Sequence, residues 1–181
     1  MATPLTTLHY PLVREHLLRL PDEDRRRRFG TPLKDSAIAA YVDRLDPETT
    51  QLYGQIEGER LVALAEIFPA GAPDICEAAF SVDPDRRREG LGRTILTRAL
   101  DRAADAGFAR MILYIQQANT PMREIARKHG FQLRLDEGDY LATRALAPAD
   151  HAVATAPVTG PASDPAACAV HAEAPSAPAA A

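Results

Sequence analysis

Tryptophan is absent from this sequence, cysteine occurs twice and aromatic residues make up only 6% of it. No stretch approaches the ~18 consecutive apolar residues that a membrane-spanning helix needs. Cys76 and Cys168 stand far apart with no C-x-x-C spacing, which argues against a disulfide framework. The five histidines show no ligand spacing, so no metal is expected. Positive charge is not in surplus either, with 21 Lys and Arg against 25 Asp and Glu. That balance excludes the basic footprint of a nucleic-acid binder. MATPLTTLHYPLVREHL lacks a basic region followed by an apolar run, so a cytoplasmic protein without membrane attachment is expected.

What the chain does have is unevenly distributed. From Pro148 to Ala181 it is nearly all Ala and Pro with scattered Ser, Thr and Asp, and has no large periodic apolar residues. Such a segment cannot bury enough surface to offset its ordering entropy and is expected to be a disordered tail. Residues 5–147 are left as one domain. Within it the patterns predict a strand over Pro4–Tyr10, a helix ending at Pro21, a second over PDEDRRRRFG and a third over Ser36–Leu45. Strands follow at Gln51–Ile56, Leu61–Phe68 and Ile75–Val82, then a strongly amphipathic helix at Gly92–Ala106 and a strand at Met111–Ile115. A helix capped by Thr120 and stopped by Gly130 comes next, and a hairpin of Phe131–Leu135 and Tyr140–Leu146 closes the domain.

The most specific local signal is Arg87-Arg88-Glu89-Gly90-Leu91-Gly92-Arg93, between a predicted strand and the best predicted helix. Two glycines let the backbone approach a ligand closely and aim its N–H groups at one point, where the helix dipole adds positive potential. A pyrophosphate suits that environment. A dinucleotide fingerprint is disfavoured, because the third glycine position is Ile95 and the next strand ends in Gln116-Gln117 rather than an acid. No Gly-Lys-Ser/Thr follows, which removes the P-loop; a purely structural turn is the remaining alternative.

Arg87-x-x-Gly90-x-Gly92 resembles the pyrophosphate loop, Q/R-x-x-G-x-G/A, of the GNAT acyl-CoA N-acyltransferases. Asn119, eleven residues before Gly130-Phe131, matches the family's fifth strand, following helix and terminal Gly-Phe. Together with the element order, the resemblance spans approximately residues 5–147. It implies an α+β GNAT fold, a mixed and mostly antiparallel sheet flanked by helices, and acetyl-CoA as co-substrate. It further implies that backbone groups of Phe80, Ser81 and Val82 pair with the pantetheine arm, that amides of Arg88, Glu89, Gly90, Leu91, Gly92 and Arg93 hold the pyrophosphate, and that Asn119 lies near the arm. A plain polar strand end is the alternative for Asn119.

Acetylation of an amine by direct attack needs a neutral nucleophile, and alkyl amines are almost fully protonated at neutral pH. A general base must therefore remove a proton. Glu77 is the candidate, ten residues before Arg87 in Cys76-Glu77-Ala78-Ala79, which resembles the A-E-x-A of bacterial protein-lysine acetyltransferases in this family. A solvent-facing strand carboxylate is the alternative. The tyrosine that many members use as general acid is replaced by Ala126, with Tyr114 and Tyr140 as unassigned substitutes. Arg25–Arg28 are expected to form a solvated helix face, and His129 a helix C-cap. The acceptor implied by the resemblance is a primary amine, first a protein lysine and next a small molecule; a non-catalytic acyl-CoA sensor is the rival from another class.

Overall fold

The computed structural model describes residues 2–146; the Ala/Pro tail expected from Pro148 onward lies outside them. In chain order the elements are β1 (Thr3–Leu5), α1 (Tyr10–Leu18), α2 (Asp22–Phe29), α3 (Asp35–Asp43), β2 (Gln51–Glu57), β3 (Arg60–Ala70), β4 (Ala72–Val82), α4 (Leu91–Asp105), β5 (Arg110–Ile115), α5 (Thr120–Lys128), β6 (Gln132–Asp136) and β7 (Asp139–Ala145). The seven strands form one mixed sheet in the order β1-β2-β3-β4-β5-β7-β6. Only the β4–β5 pair is parallel. This is the expected GNAT fold.

β3 is an interior strand of the sheet, and its continuous apolar run reflects burial on both faces. One face packs on α4 and α5 through Ile95, Leu96, Ala99, Ala126 and Phe131, which meet Ala65, Ile67, Cys76, Met111 and Leu113. On the other, Val13 and Leu17 of α1 and Ile38 and Val42 of α3 pack on Leu52, Leu61 and Leu64. α4 buries Leu91, Ile95, Leu96, Ala99, Leu100 and Ala103 along one stripe, the helical period read from the sequence.

Two local expectations need correction. The first strand is only three residues long: after Leu5, the Thr6 N–H donates to His9 Nδ1 at 3.0 Å, a turn of 3-10 helix forms over Thr7–His9, and Pro11 sits in the first turn of α1. Proline's fixed φ favours that helix start over a continued strand. α5 is capped by Asn119 rather than Thr120, since Asn119 Oδ1 accepts from the Met122 N–H at 3.3 Å and Thr120 is already helical.

Candidate active site

β4 and β5 run parallel only at Ile75–Arg110, Cys76–Met111 and Glu77–Ile112, then separate. Beyond Glu77, β4 still pairs with β3 as far as Val82. The Asp83 N–H donates to the Val62 carbonyl at 2.8 Å. Since backbone groups alternate sides along a strand, those of Ser81 face β3, whereas those of Phe80 and Val82 face the β5 side, where no strand pairs with them. Of the three residues expected to meet an extended ligand arm, two thus present free backbone edges. Ser81 does not; its side chain is spent elsewhere.

At the end of this strand, a short 3-10 turn (Pro84–Arg86) leads into the Arg87–Gly92 loop. Arg88 and Gly90 both have positive φ, 65° and 83°, and this reversal brings the chain to the start of α4. The first intrahelical bond runs from the Thr94 N–H to the Gly90 carbonyl. Among the described residues, no N–H from Arg87 to Arg93 has a protein acceptor. These amides and the α4 dipole make a cradle for an anion that a pyrophosphate fits. Arg86 is held by Glu57 and Glu89, and Arg87 by Asp24 of α2; Arg88 and Arg93 are exposed and form no ion pair among the described residues.

Cys76 and Ala78 belong to the α4-side core, so Glu77 points to the opposite face. Ile112 lies opposite it, and Tyr114, Leu141 and Thr143 share its face by the alternation of β5 and β7. Tyr114 is 60% exposed, so this half of the face is open beside α2. Burial pushes the Glu77 carboxyl up to about 7, against the opposing pull of the Arg28 guanidinium. A carboxyl poised near neutrality is suited to exchange a proton with an amine.

The other expected residues fall into place unequally. Asn119 follows the end of β5 by four residues as the N-cap of α5, and its side-chain oxygen is used by that cap. Ala126 is fully buried against α4. Tyr140 lies under Arg123, whose guanidinium is 5.2 Å from its ring centroid. His129 is indeed a cap residue, with Nδ1 2.8 Å from the Ile125 carbonyl and Nε2 3.0 Å from Thr97 Oγ1. Burial raises the Cys76 thiol to about 12, which leaves it inert. Among the described residues no cluster of His, Cys, Asp and Glu has the arrangement of a metal site, and no helix is long and apolar enough to cross a membrane.

The expected solvated arginine face of α2 is wrong for two of its four members. Arg25 is buried and donates to the carbonyls of Leu18, Leu20 and Leu33 and to Asp35. Arg28 is enclosed by Phe29, Tyr41 and Glu66. Their i, i+3 spacing places both on the inner side of the helix. Sequence reasoning also missed Glu66 itself, fully buried and bonded by the Tyr41 hydroxyl. The signal was a carboxylate inside the apolar run Leu61–Phe68, the same kind of anomaly that singled out Glu77.

A second unforeseen cluster braces β4. His16 of α1 is fully buried, with Nδ1 2.9 Å from the Leu61 carbonyl and Nε2 2.8 Å from Ser81 Oγ. A carbonyl can only accept, so Nδ1 carries the proton and the Ser81 hydroxyl donates to Nε2. Two residues on, buried Asp83 receives Arg19 and Arg60. Ser81 and Asp83 thereby tie β4 to α1 and β3, leaving the Phe80 and Val82 edge toward β5 unobstructed.

A parallel pair that separates, a run of loop amides without protein acceptors at a helix start and a carboxyl held near 7 thus lie at one end of the sheet. The chain belongs to the acetyltransferase (GNAT) family, whose model matches residues 14–131. A 52-residue stretch is 38% identical to the mycothiol acetyltransferase of Thermobifida fusca (strain YX), covering 29% of this chain and only 16% of that protein's length. In fold it is similar to the GNAT domain of S. lividans PAT (TM-score 0.70, 19% identity, 80% of this chain and 89% of that one). It is also similar to the spermidine N-acetyltransferase of Vibrio cholerae, solved with CoA and spermine (TM-score 0.64, 13% identity, 82% and 96% coverage).

Proposed function

We propose that this chain transfers the acetyl group of acetyl-CoA to a primary amine by direct attack, with Glu77 as general base. The observation that carries this is the position of Glu77 at the last β4–β5 pair, where free backbone edges begin and its carboxyl is held near 7. Bound acetyl-CoA supplies an activated acyl thioester. The N–H groups of Arg88–Arg93 bind its pyrophosphate, and the Phe80 and Val82 edge orients its extended arm. Glu77 takes a proton from the amine, whose nitrogen forms the amide bond while the C–S bond breaks and CoA leaves as a thiolate that water protonates. Asn119 frames the arm from the β5 side as a positioning residue. The protein-lysine acceptor suggested by Cys76-Glu77-Ala78-Ala79 belongs to this class of amine, as does the spermidine for which the Vibrio cholerae enzyme is named.

The test is release of free CoA thiol from acetyl-CoA by the purified chain, with and without amines. Amine-dependent release that is lost in Glu77→Gln supports the proposal. A sensor is favoured by one observation, the replacement of the expected tyrosine by buried Ala126. Tight acetyl-CoA binding without release in the presence of any amine would establish that alternative.

A further inference from the structure

Arg28 has no part in the chemistry described so far, and its surroundings are unusual for a structural cation. Its side chain is 8% exposed, with the guanidinium carbon 4.7 Å from the Phe29 ring centroid and 5.8 Å from that of Tyr41. Nη2 lies 3.2 Å from the Tyr41 hydroxyl and 2.5 Å from Glu66 Oε1. A guanidinium has five N–H donors, and only those on Nη2 are committed. Nε is sealed from solvent without an acceptor, and Nη1 has no partner among the described residues. Buried donors are ordinarily matched, because an unmatched one forfeits its hydration for nothing.

The place of this cation matters. Glu66 lies opposite Ala79 in the sheet, and Glu77 is two residues from Ala79 on the same face. Anchored on Glu66, Arg28 therefore stands over β4 close enough for its charge to act on the Glu77 carboxyl. Phe29 and Tyr41 pack against its guanidinium, and the face it shares with Glu77 continues across β5 and β7 through Ile112, Tyr114 and Leu141.

We propose that Arg28 determines acceptor specificity: its uncommitted Nη1 donors bind a carboxylate carried next to the amine that Glu77 deprotonates, which makes a free α-amino acid the acceptor class. The proposal rests on the role of Glu77 given above. It assigns the zwitterion one complementary group for each charge, Glu77 for the ammonium and Arg28 for the carboxylate. Glu66 and Tyr41 hold the guanidinium in place, and Ile112, Leu141 and Tyr114 offer an apolar surface to the amino-acid side chain.

The experiment uses the full chain and follows CoA release with the twenty common L-amino acids. The best of them is then compared with its amide, its decarboxylated amine and an N-acetylated lysine peptide. The free amino acid is expected to exceed the amide at least tenfold and the amine about a hundredfold in kcat/KM, the loss expected when a buried charged group loses its partner. Arg28→Lys should raise KM for the amino acid tenfold or more while KM for acetyl-CoA stays within about twofold; a purely structural role would move both together with the melting temperature. Should that variant fail to fold, the wild type decides alone: the N-acetyl amino acid product should raise its melting temperature and the N-acetyl amine should not. Turnover of the amine, the amide or the lysine peptide equal to that of every amino acid, abolished by Glu77→Gln, overturns the role of Arg28 and leaves the proposed function standing. Absence of turnover with any amine overturns both.

Discussion

Glu77 lies opposite Ile112 at the last point where β4 and β5 pair, so the candidate base stands at the vertex from which the two strands diverge. Its burial and its position thus share one cause. Replacing it by Gln preserves shape while removing the base, and kcat should fall by roughly 10²–10⁴-fold with acetyl-CoA affinity unchanged. The base works deprotonated, so wild-type kcat/KM should rise with pH through about 7 and Glu77→Gln should lose that limb. Calorimetric titration and pH–rate profiles are the measurements; turnover within threefold of wild type would move the base elsewhere.

The two glycines of the loop should respond differently to valine. Gly90 has φ of 83°, a conformation costly for any β-branched residue, so Gly90→Val should strain the loop and lower the melting temperature as well as the affinity. A Cβ at Gly92 would meet Ile125 Cδ1 at 3.4 Å, an ordinary contact with the tip of a side chain. Gly92→Val should therefore fold, and its side chain, wedged between Ile125 and Val82 where the proposed arm edge meets the start of α4, should lower acetyl-CoA affinity. Unchanged affinity in calorimetry would remove this loop from the site.

His16 predicts an acid-sensitive fold. Burial lowers its pKa to about 4, opposed by its bond to the Leu61 carbonyl, whereas the unfolded chain titrates near 6.5. The folded state then binds fewer protons between these values. Stability from this group is complete above about 6.5 and is lost as pH falls toward 4, by about 3 kcal/mol across the window. Urea melts at pH 7 and pH 5 should show the loss. In His16→Gln, less stable at pH 7, this component of the pH dependence should vanish.

Leu146 is buried, and its N–H donates to the Ala109 carbonyl at 2.8 Å, closing the sheet side of the domain at the last described residue. A chain cut after Ala147 should keep its melting temperature and its acetyl-CoA affinity, and limited proteolysis should release the remainder first. Protection of the segment beyond Pro148 would show that it docks.

The order of elements along the chain and the Gly-rich turn before α4 were legible because their signals are local. β3 reads as an apolar run, α4 as a helical stripe, and Gly90-Leu91-Gly92 as a backbone approach. Arg28 and His16 were not legible, because what matters for them is the partner. Arg28 meets Glu66 across 38 positions of sequence, and His16 meets Ser81 across 65. A row of four arginines on a short helix reads as solvent-facing by composition. Only the tertiary contact with Tyr41 and Glu66 turns one of them inward. Asn119 shows the opposite confusion, since a residue that matches a family position is occupied by a helix cap.

Among the described residues, three paired positions and the Ala109 N–H bond to the Asp74 carbonyl join the β1–β4 half of the sheet to the β5–β7–β6 half, and that short seam gives the domain a built-in thermometer for its donor. An extended arm lying along Phe80 and Val82 would supply backbone bonds that the chain leaves unmade, lengthening the seam from the ligand's side. At a hundred times its dissociation constant such a ligand adds about 2.7 kcal/mol to unfolding. Opening of the seam in hydrogen exchange should therefore slow with acetyl-CoA at the amides of Phe80 and Val82, while the paired amides of β3, already sealed within the sheet, follow only the global rise in stability.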